Sequence, residues 1–285
     1  MPALACPICR EPIDSATLTC AHGHRFERNH GILSLLTPQF AAQLSAFATA
    51  FRADRAAQRY PVLPTTAYAH LPFGDAVRND PEWRARQTDL RLILRLLPQN
   101  KTMRVLDVGA WNGWLSQQLA ARGHAVIAAS YFADEQDGLG ARKFYPNPVW
   151  QAVQMDECDL DVIRDEFDAV ILNRCVQFAP APQQQVQAAQ ARVAKGGLLV
   201  VTGMSIFKDP SRHMAQTQQR VSAFQQRHGL SLFLRPTRGY LDSNDKARFQ
   251  SAGLVMKPYW AMWRAWAKSL VQPSAPQPCY GVWRR

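Results

Sequence analysis

The stretch VLDVGAWNGWLS, Val105 to Ser116, decides how the rest of the chain is read. An apolar run ends on Asp107-x-Gly109-x-Trp111-x-Gly113, and a helical pattern follows at once. That order is a buried strand, a glycine turn and a helix, as in sheets that present a loop at the carboxyl end of a strand. Glycine takes positive φ without strain and lets backbone amides come close to a ligand. The helix start, Trp114 to Ser116, adds free N–H groups and the positive end of a dipole, which suit a carboxylate. The dinucleotide pattern GxGxxG is absent, and Trp111 stands where its middle glycine would be.

Outward from this turn the chain alternates strand and helix. Strand-like runs are MRVLDVG (103–109), HAVIAAS (124–130), NPVWQAV (147–153), FDAVILN (167–173) and GLLVVTG (197–203). Helical patterns lie between them, at 115–123 and 182–197. Near-continuous apolar strands separated by helices imply a parallel sheet covered on both faces. Later come a helix near 211–228, a short one near 243–252, and strand-like runs at 253–259 and 279–285. Upstream, Phe40, Leu44, Phe47 and Phe51 share one helical face. Four prolines at 61, 64, 72 and 81 make 60–81 an irregular cap, and a helix runs from Pro81 to Leu97.

The first 37 residues differ in kind. Cys6-x2-Cys9, ten residues, then Cys20-x3-His24 is the spacing of a tetrahedral zinc site. Cys20-x-His22 offers a rival fourth ligand; Gly23 favours His24. A segment this small has too little core to fold without a staple, so structural zinc is expected, with no part in the chemistry.

The chain has 285 residues, 33 Lys plus Arg against 22 Asp plus Glu, and a net charge of +11. This permits RNA, acidic lipid headgroups or an anionic substrate and proves none, because no dense basic block occurs. No apolar run of eighteen residues exists, so no membrane span is expected. The start lacks the pattern of a signal peptide, and a cytoplasmic location is expected.

Two resemblances follow from these residues. CAHGHRFERNHGILSLL looks like the zinc ribbon of the bacterial 23S rRNA guanine methyltransferases, which implies Cys6, Cys9, Cys20 and His24 as ligands. DVGAWNG, the five strands and KGGLLVV resemble the class I S-adenosylmethionine-dependent methyltransferases across residues 99–285. That resemblance implies that Asp107 and Gly109 meet the methionine end of the cofactor and that Ala110, Trp111 and Gly113 also line its site. Trp111 departs from the usual glycine, although G-x-W-[DN]-G occurs in this class. Ser130 stands where the family ends strand two with an acid that accepts both ribose hydroxyls. A serine offers one neutral hydrogen bond there, and Asp134 is the acid within reach along the chain. Among Met155, Asp156 and Glu157, Asp156 is the expected adenine contact. Asn173 and Arg174, at the end of strand four, are placed to face cofactor or substrate.

Methyl transfer from a sulfonium depends mainly on alignment, and a base is needed only if the acceptor must lose a proton. His70, His213 and Tyr240 are the candidates, each more readily explained by surface or packing roles. The segment YWAMWRAWAKSL (259–270) reads first as core packing, then as an acceptor wall or a membrane-surface helix. The expected architecture is α/β: a Rossmann-like doubly wound, mostly parallel sheet at 99–285, a zinc ribbon at 1–37, and a helical cap and linker at 38–98. The expected activity is methyl transfer from S-adenosylmethionine to a small-molecule or RNA acceptor. The alternative is a relative that keeps the fold as a binding or scaffold module.

Overall fold

The computed structural model describes residues 2–285. In chain order the elements are β1 (Glu27–Asn29), β2 (Ile32–Ser34), α1 (Pro38–Ala57), α2 (Pro81–Leu96), β3 (Arg104–Val108), α3 (Trp114–Ala120), β4 (Ala125–Ser130), β5 (Gln151–Gln154), β6 (Phe167–Asn173), α4 (Pro182–Gln190), β7 (Val193–Phe207), α5 (Ser211–His228), β8 (Leu241–Asp242), α6 (Ser243–Ser251), β9 (Val255–Pro258), α7 (Trp263–Val271) and β10 (Gln277–Arg284). The sheet order is β1-β2-β5-β4-β3-β6-β7-β10-β9, with β8 also paired to β7. Strands β2 to β7 pair in parallel along this path, and β10 lies antiparallel between β7 and β9.

Alternation along the strands builds two cores. Leu106, Val108, Val170, Leu172, Leu199 and Val201 point to one face and pack with Val186 and Phe249. Val105, Ala128, Ala169, Ile171 and Val200 point to the other and pack with Leu90, Ile93, Leu115 and Leu119. A sheet buried on both faces needs such apolar runs, which is why they were visible in the sequence. The Cys/His segment is continuous with this body: Leu4 bridges to Ile163, and Ile32 of β2 pairs with Ala152 of β5.

Local sequence sets the helix starts. Thr37 caps α1 by accepting from the Phe40 amide at 3.2 Å, and Asp80 caps α2 by accepting from the Glu82 amide at 2.7 Å. Pro38 and Pro81 follow at the first helical positions, where a missing N–H costs nothing. The third central strand is shorter and later than the expected 147–153. Arg142 takes the carbonyls of Pro148 and Trp150, so the chain before Gln151 is committed to a side chain and not to the ladder. The glycines of 137–145 serve close packing: a Cβ on Gly138 would stand 2.6 Å from the Asp134 amide nitrogen.

The 259–270 segment departs from its first reading. Trp260 is 77% and Trp263 57% exposed, so neither is a core residue. The inner side of α7 is formed by half-buried Trp266 and buried Ser269, whose hydroxyl donates to the Trp266 carbonyl at 2.6 Å.

One fully buried carboxylate ties the cap to the sheet. Asp89 of α2 accepts from Asn173 Nδ2 at 3.1 Å, Arg174 Nε at 2.6 Å and the Tyr259 hydroxyl at 2.7 Å. Tyr259 accepts in turn from the Gly203 amide at 2.9 Å. Removing one partner of a buried, hydrogen-bonded charge leaves the rest uncompensated. We expect Asp89→Ala to lower stability by about 3 kcal/mol in urea unfolding. Asp75→Ala, at the exposed Asp75–Arg78 pair, should change it by less than about 1 kcal/mol. Equal effects would contradict this account of Asp89.

Candidate active site and metal centre

Strands β4 and β5 lie on one side of β3, and β6 and β7 on the other. The crevice of such a sheet opens beyond the carboxyl ends of β3 and β6, where the order reverses. The turn after β3 and the residues after β6 meet there closely. Gly109 has φ +72°, and a Cβ on it would lie 2.5 Å from Cys175 Cβ, so only glycine fits. Gly113, at φ +79°, is equally constrained from behind: its Cβ would strike the Trp150 ring at 2.5 Å.

A cavity of about 220 Å³ opens at this point. It gathers five of the expected residues, Gly109, Trp111, Ser130, Asn173 and Arg174. It also includes Glu157, passed over in favour of Asp156, and Tyr131, Cys175 and Phe178, which no motif singles out. A second cavity, of about 440 Å³, shares Tyr131, Phe132, Glu157, Cys175 and Phe178 with it and extends to Asp156 and His213. Asp107, Ala110 and Gly113 stand behind the wall. Asp107 is buried and accepts from the Ser116 hydroxyl at 2.7 Å, while its other oxygen has no partner. The amides of Gly109 and Ala110 both donate to the Ala129 carbonyl, at 2.9 and 3.1 Å, so they are turned inward, away from the ligand expected of them.

Trp111 is the residue on which the crevice turns. Its φ of +52° swings the side chain toward the cap. There the indole packs on Trp83 at 5.8 Å between ring centroids and lies under the Arg86 guanidinium at 4.8 Å. Trp111 and Asp137 line one side of a neighbouring cavity under the cap. The indole is thus a wall of the 220 Å³ cavity and not a plug.

Glu157 supplies the acid that β4 lacks. Its Oε1 accepts from Ser130 Oγ at 2.8 Å and from the Tyr131 amide at 3.3 Å. Its Oε2 faces the glycine turn, 3.4 Å from where a Cβ on Gly109 would be. Asp134, the alternative acid, turns instead to the amides of Gln136 and Asp137. Asp156 forms an ion pair with Arg235, and Arg174 pairs with Asp89, which gives Arg174 a structural partner. Asn173 lines the cavity, but its amide nitrogen is donated to Asp89 and Thr202. His70 is exposed on the cap, whereas His213 lines the larger cavity, stacked on Phe207 at 4.7 Å and close to Tyr240.

The N-terminal cluster brings the donor atoms of Cys6, Cys9, Cys20 and His24 within 4.8 Å of one another. Cys6 Sγ and Cys20 Sγ lie 3.4 and 3.3 Å from His24 Nδ1, and Cys9 Sγ lies 3.6 Å from Cys20 Sγ. Tetrahedral bonds of about 2.3 Å to sulfur and 2.0 Å to nitrogen give edges of roughly this length, so the set fits a four-coordinate zinc. His22 is exposed and outside the set.

Comparison with known proteins agrees with this geometry. A family model described as a methyltransferase domain matches residues 82–237, which include α2, the glycine turn and Glu157. A demethylmenaquinone methyltransferase from Clavibacter sepedonicus is 28% identical over 130 residues. The match covers 46% of this chain and 50% of that protein, so the chain spans about half the length of the curated relative it matches. Among solved structures, the Burkholderia thailandensis 1,6-didemethyltoxoflavin-N1-methyltransferase is similar with a TM-score of 0.45, at 13% identity over 87% of this chain and 89% of that one. An N-methyltransferase from Bradyrhizobium japonicum is similar with a TM-score of 0.43, at 14% identity over 73% and 98%. Among the described residues, no helix is long and apolar enough to cross a membrane.

Burial pushes Asp107 and Glu157 each up to about 7, against the opposing hydrogen bonds from Ser116 and Ser130. At Glu157 the like charges of Asp156 and Asp107 are part of the same rise. In the folded state both carboxyls hold protons over a range in which the free side chains are ionised. Their contribution to stability is therefore complete at about pH 4 and lost as the pH rises through 7. An Asp107→Asn/Glu157→Gln variant should show a flatter fall in melting temperature between about pH 5 and pH 8 than the parent. An unchanged slope would contradict the assignment. With its crevice at the reversal of strand order and the family model spanning more than half its length, the chain belongs to the family of S-adenosylmethionine-dependent methyltransferase domains.

Proposed function

We propose that the protein transfers the methyl group of S-adenosylmethionine to a small, flat, largely apolar acceptor, with zinc holding its N-terminal segment. The observation that carries the reading is the open crevice between Gly109 and Glu157, with Trp111 packed aside on Trp83. Gly109 gives the cofactor close access to the backbone, and the Glu157 carboxylate accepts from the ribose hydroxyls in place of an acid at position 130. The bound cofactor supplies an electrophilic methyl group on a good leaving group. The chain's own task is to align the acceptor and exclude water.

The acceptor class follows from the larger cavity, whose walls include Phe47, Phe51, Phe132, Phe178 and Phe233. Such rings stack on a planar ligand and offer it few polar contacts. A relative named for demethylmenaquinone is in keeping with an apolar acceptor. His213 is the one of the three candidate bases in this cavity, and an acceptor that must lose a proton would meet it there.

Calorimetry with S-adenosylhomocysteine tests the cofactor site. Glu157→Gln should weaken binding roughly tenfold to a hundredfold, the worth of a charge-assisted hydrogen bond. A ligand lacking both ribose hydroxyls should bind parent and variant with nearly equal affinity, because the lost partner is shared. No binding at millimolar ligand would support the scaffold reading. Binding of RNA that weakens steeply with salt would replace the small acceptor with a phosphate-bearing one.

For the metal, the purified full chain should carry equimolar zinc. Cys9→Ser should lose it and lower the melting temperature, while His22→Ala should retain it. A metal-free native chain, or loss of zinc with His22→Ala, would overturn the ligand set.

A further inference from the structure

Helix α7 shows an apolar strip to solvent. Trp263, Leu270 and Val271 recur at helical spacing on its outer side with half-buried Ala267 between them, and exposed Trp260 precedes the helix. Leu270 is 52% and Val271 85% exposed. Arg264 and Lys268 flank this strip on one side, both exposed. The chain that carries it has charge of one sign. From Lys246 to Arg285 there is no Asp or Glu, while Lys or Arg occurs seven times. Asp209, whose amide donates to the Pro273 carbonyl just beyond the helix, turns its carboxylate to Ser211.

Size decides what covers such a strip. A nine-residue helix is about 14 Å long. Its exposed side is far below the roughly 800 Å² that a stable protein partner covers. A bilayer surface has no such requirement, because indoles and leucines enter the headgroup layer singly while cations meet anionic lipid. Indole rings belong at that depth, with an apolar body and one polar N–H.

We propose that the outer side of α7 docks the protein on an anionic bilayer surface, with Trp260, Trp263 and Leu270 in the headgroup layer and Arg264 and Lys268 against lipid phosphates. The contact is peripheral. It is separate from the crevice and does not depend on the methyltransferase reading. It would set the protein beside a source of apolar molecules.

The test is co-sedimentation of the full chain with vesicles of phosphatidylcholine alone and of phosphatidylcholine mixed equally with phosphatidylglycerol. The mixed vesicles should pellet the protein and the neutral ones should not. Arg264→Ser/Lys268→Ser should weaken binding to mixed vesicles by roughly fivefold for each cation removed. Trp260→Ser/Trp263→Ser/Leu270→Ser should abolish it. Unaltered circular dichroism and S-adenosylhomocysteine affinity in both variants keep the result from being a folding effect. Equal binding to neutral vesicles, or undiminished binding by the triple variant, would overturn the proposal. So would a dimer in light scattering that the triple variant dissolves, since the strip would then belong to a second copy.

Discussion

The carboxylate of Asp89 is fully buried and has three donors aimed at it, from Asn173, Arg174 and Tyr259. Those donors come from the ends of β6 and from the chain after β9, while Asp89 itself rides on the cap helix α2. A single buried charge thus sets the distance between the cap and the carboxyl edge of the sheet. Burying a charge is costly unless every lone pair finds a partner, so the geometry around it has little freedom. The crevice beside Gly109 inherits that rigidity. The side of β6 facing it is fixed by the same Asn173 that serves Asp89.

Around this frame, two departures in the cofactor loop account for each other's surroundings. Trp111 brings a large side chain to a place where most such loops have none. Its positive φ, the Trp83 ring and the Arg86 guanidinium hold it against the cap. Ser130 leaves β4 without an acid, and Glu157 arrives from the chain after β5 to sit on its hydroxyl.

The sheet was legible because strands buried on both faces must be apolar throughout, and VLDV, VILN and LLVV announce themselves. So was the Cys/His set, since short spacings constrain geometry directly. Glu157 was not, because it is an ordinary loop acid one residue beyond Asp156, and nothing in a linear pattern says which of two neighbours turns inward. Asp89 was hidden for the same reason: its partners lie 84 to 170 positions away. The tryptophans of α7 misled in the opposite direction. Spacing by three and four marks a helix face but does not say whether that face meets the sheet or solvent.

The central claim is that the hollow beside Gly109 holds an adenosyl group, with Glu157 on its ribose and the Trp111 indole left on Trp83. A crystal of the full chain soaked with S-adenosylhomocysteine tests it most directly. The account predicts ligand density between Gly109 and Glu157, a ribose within hydrogen-bonding distance of the Glu157 carboxylate, and an unmoved indole. Density that fills the hollow with the indole ring, with no nucleoside beside it, would contradict the account.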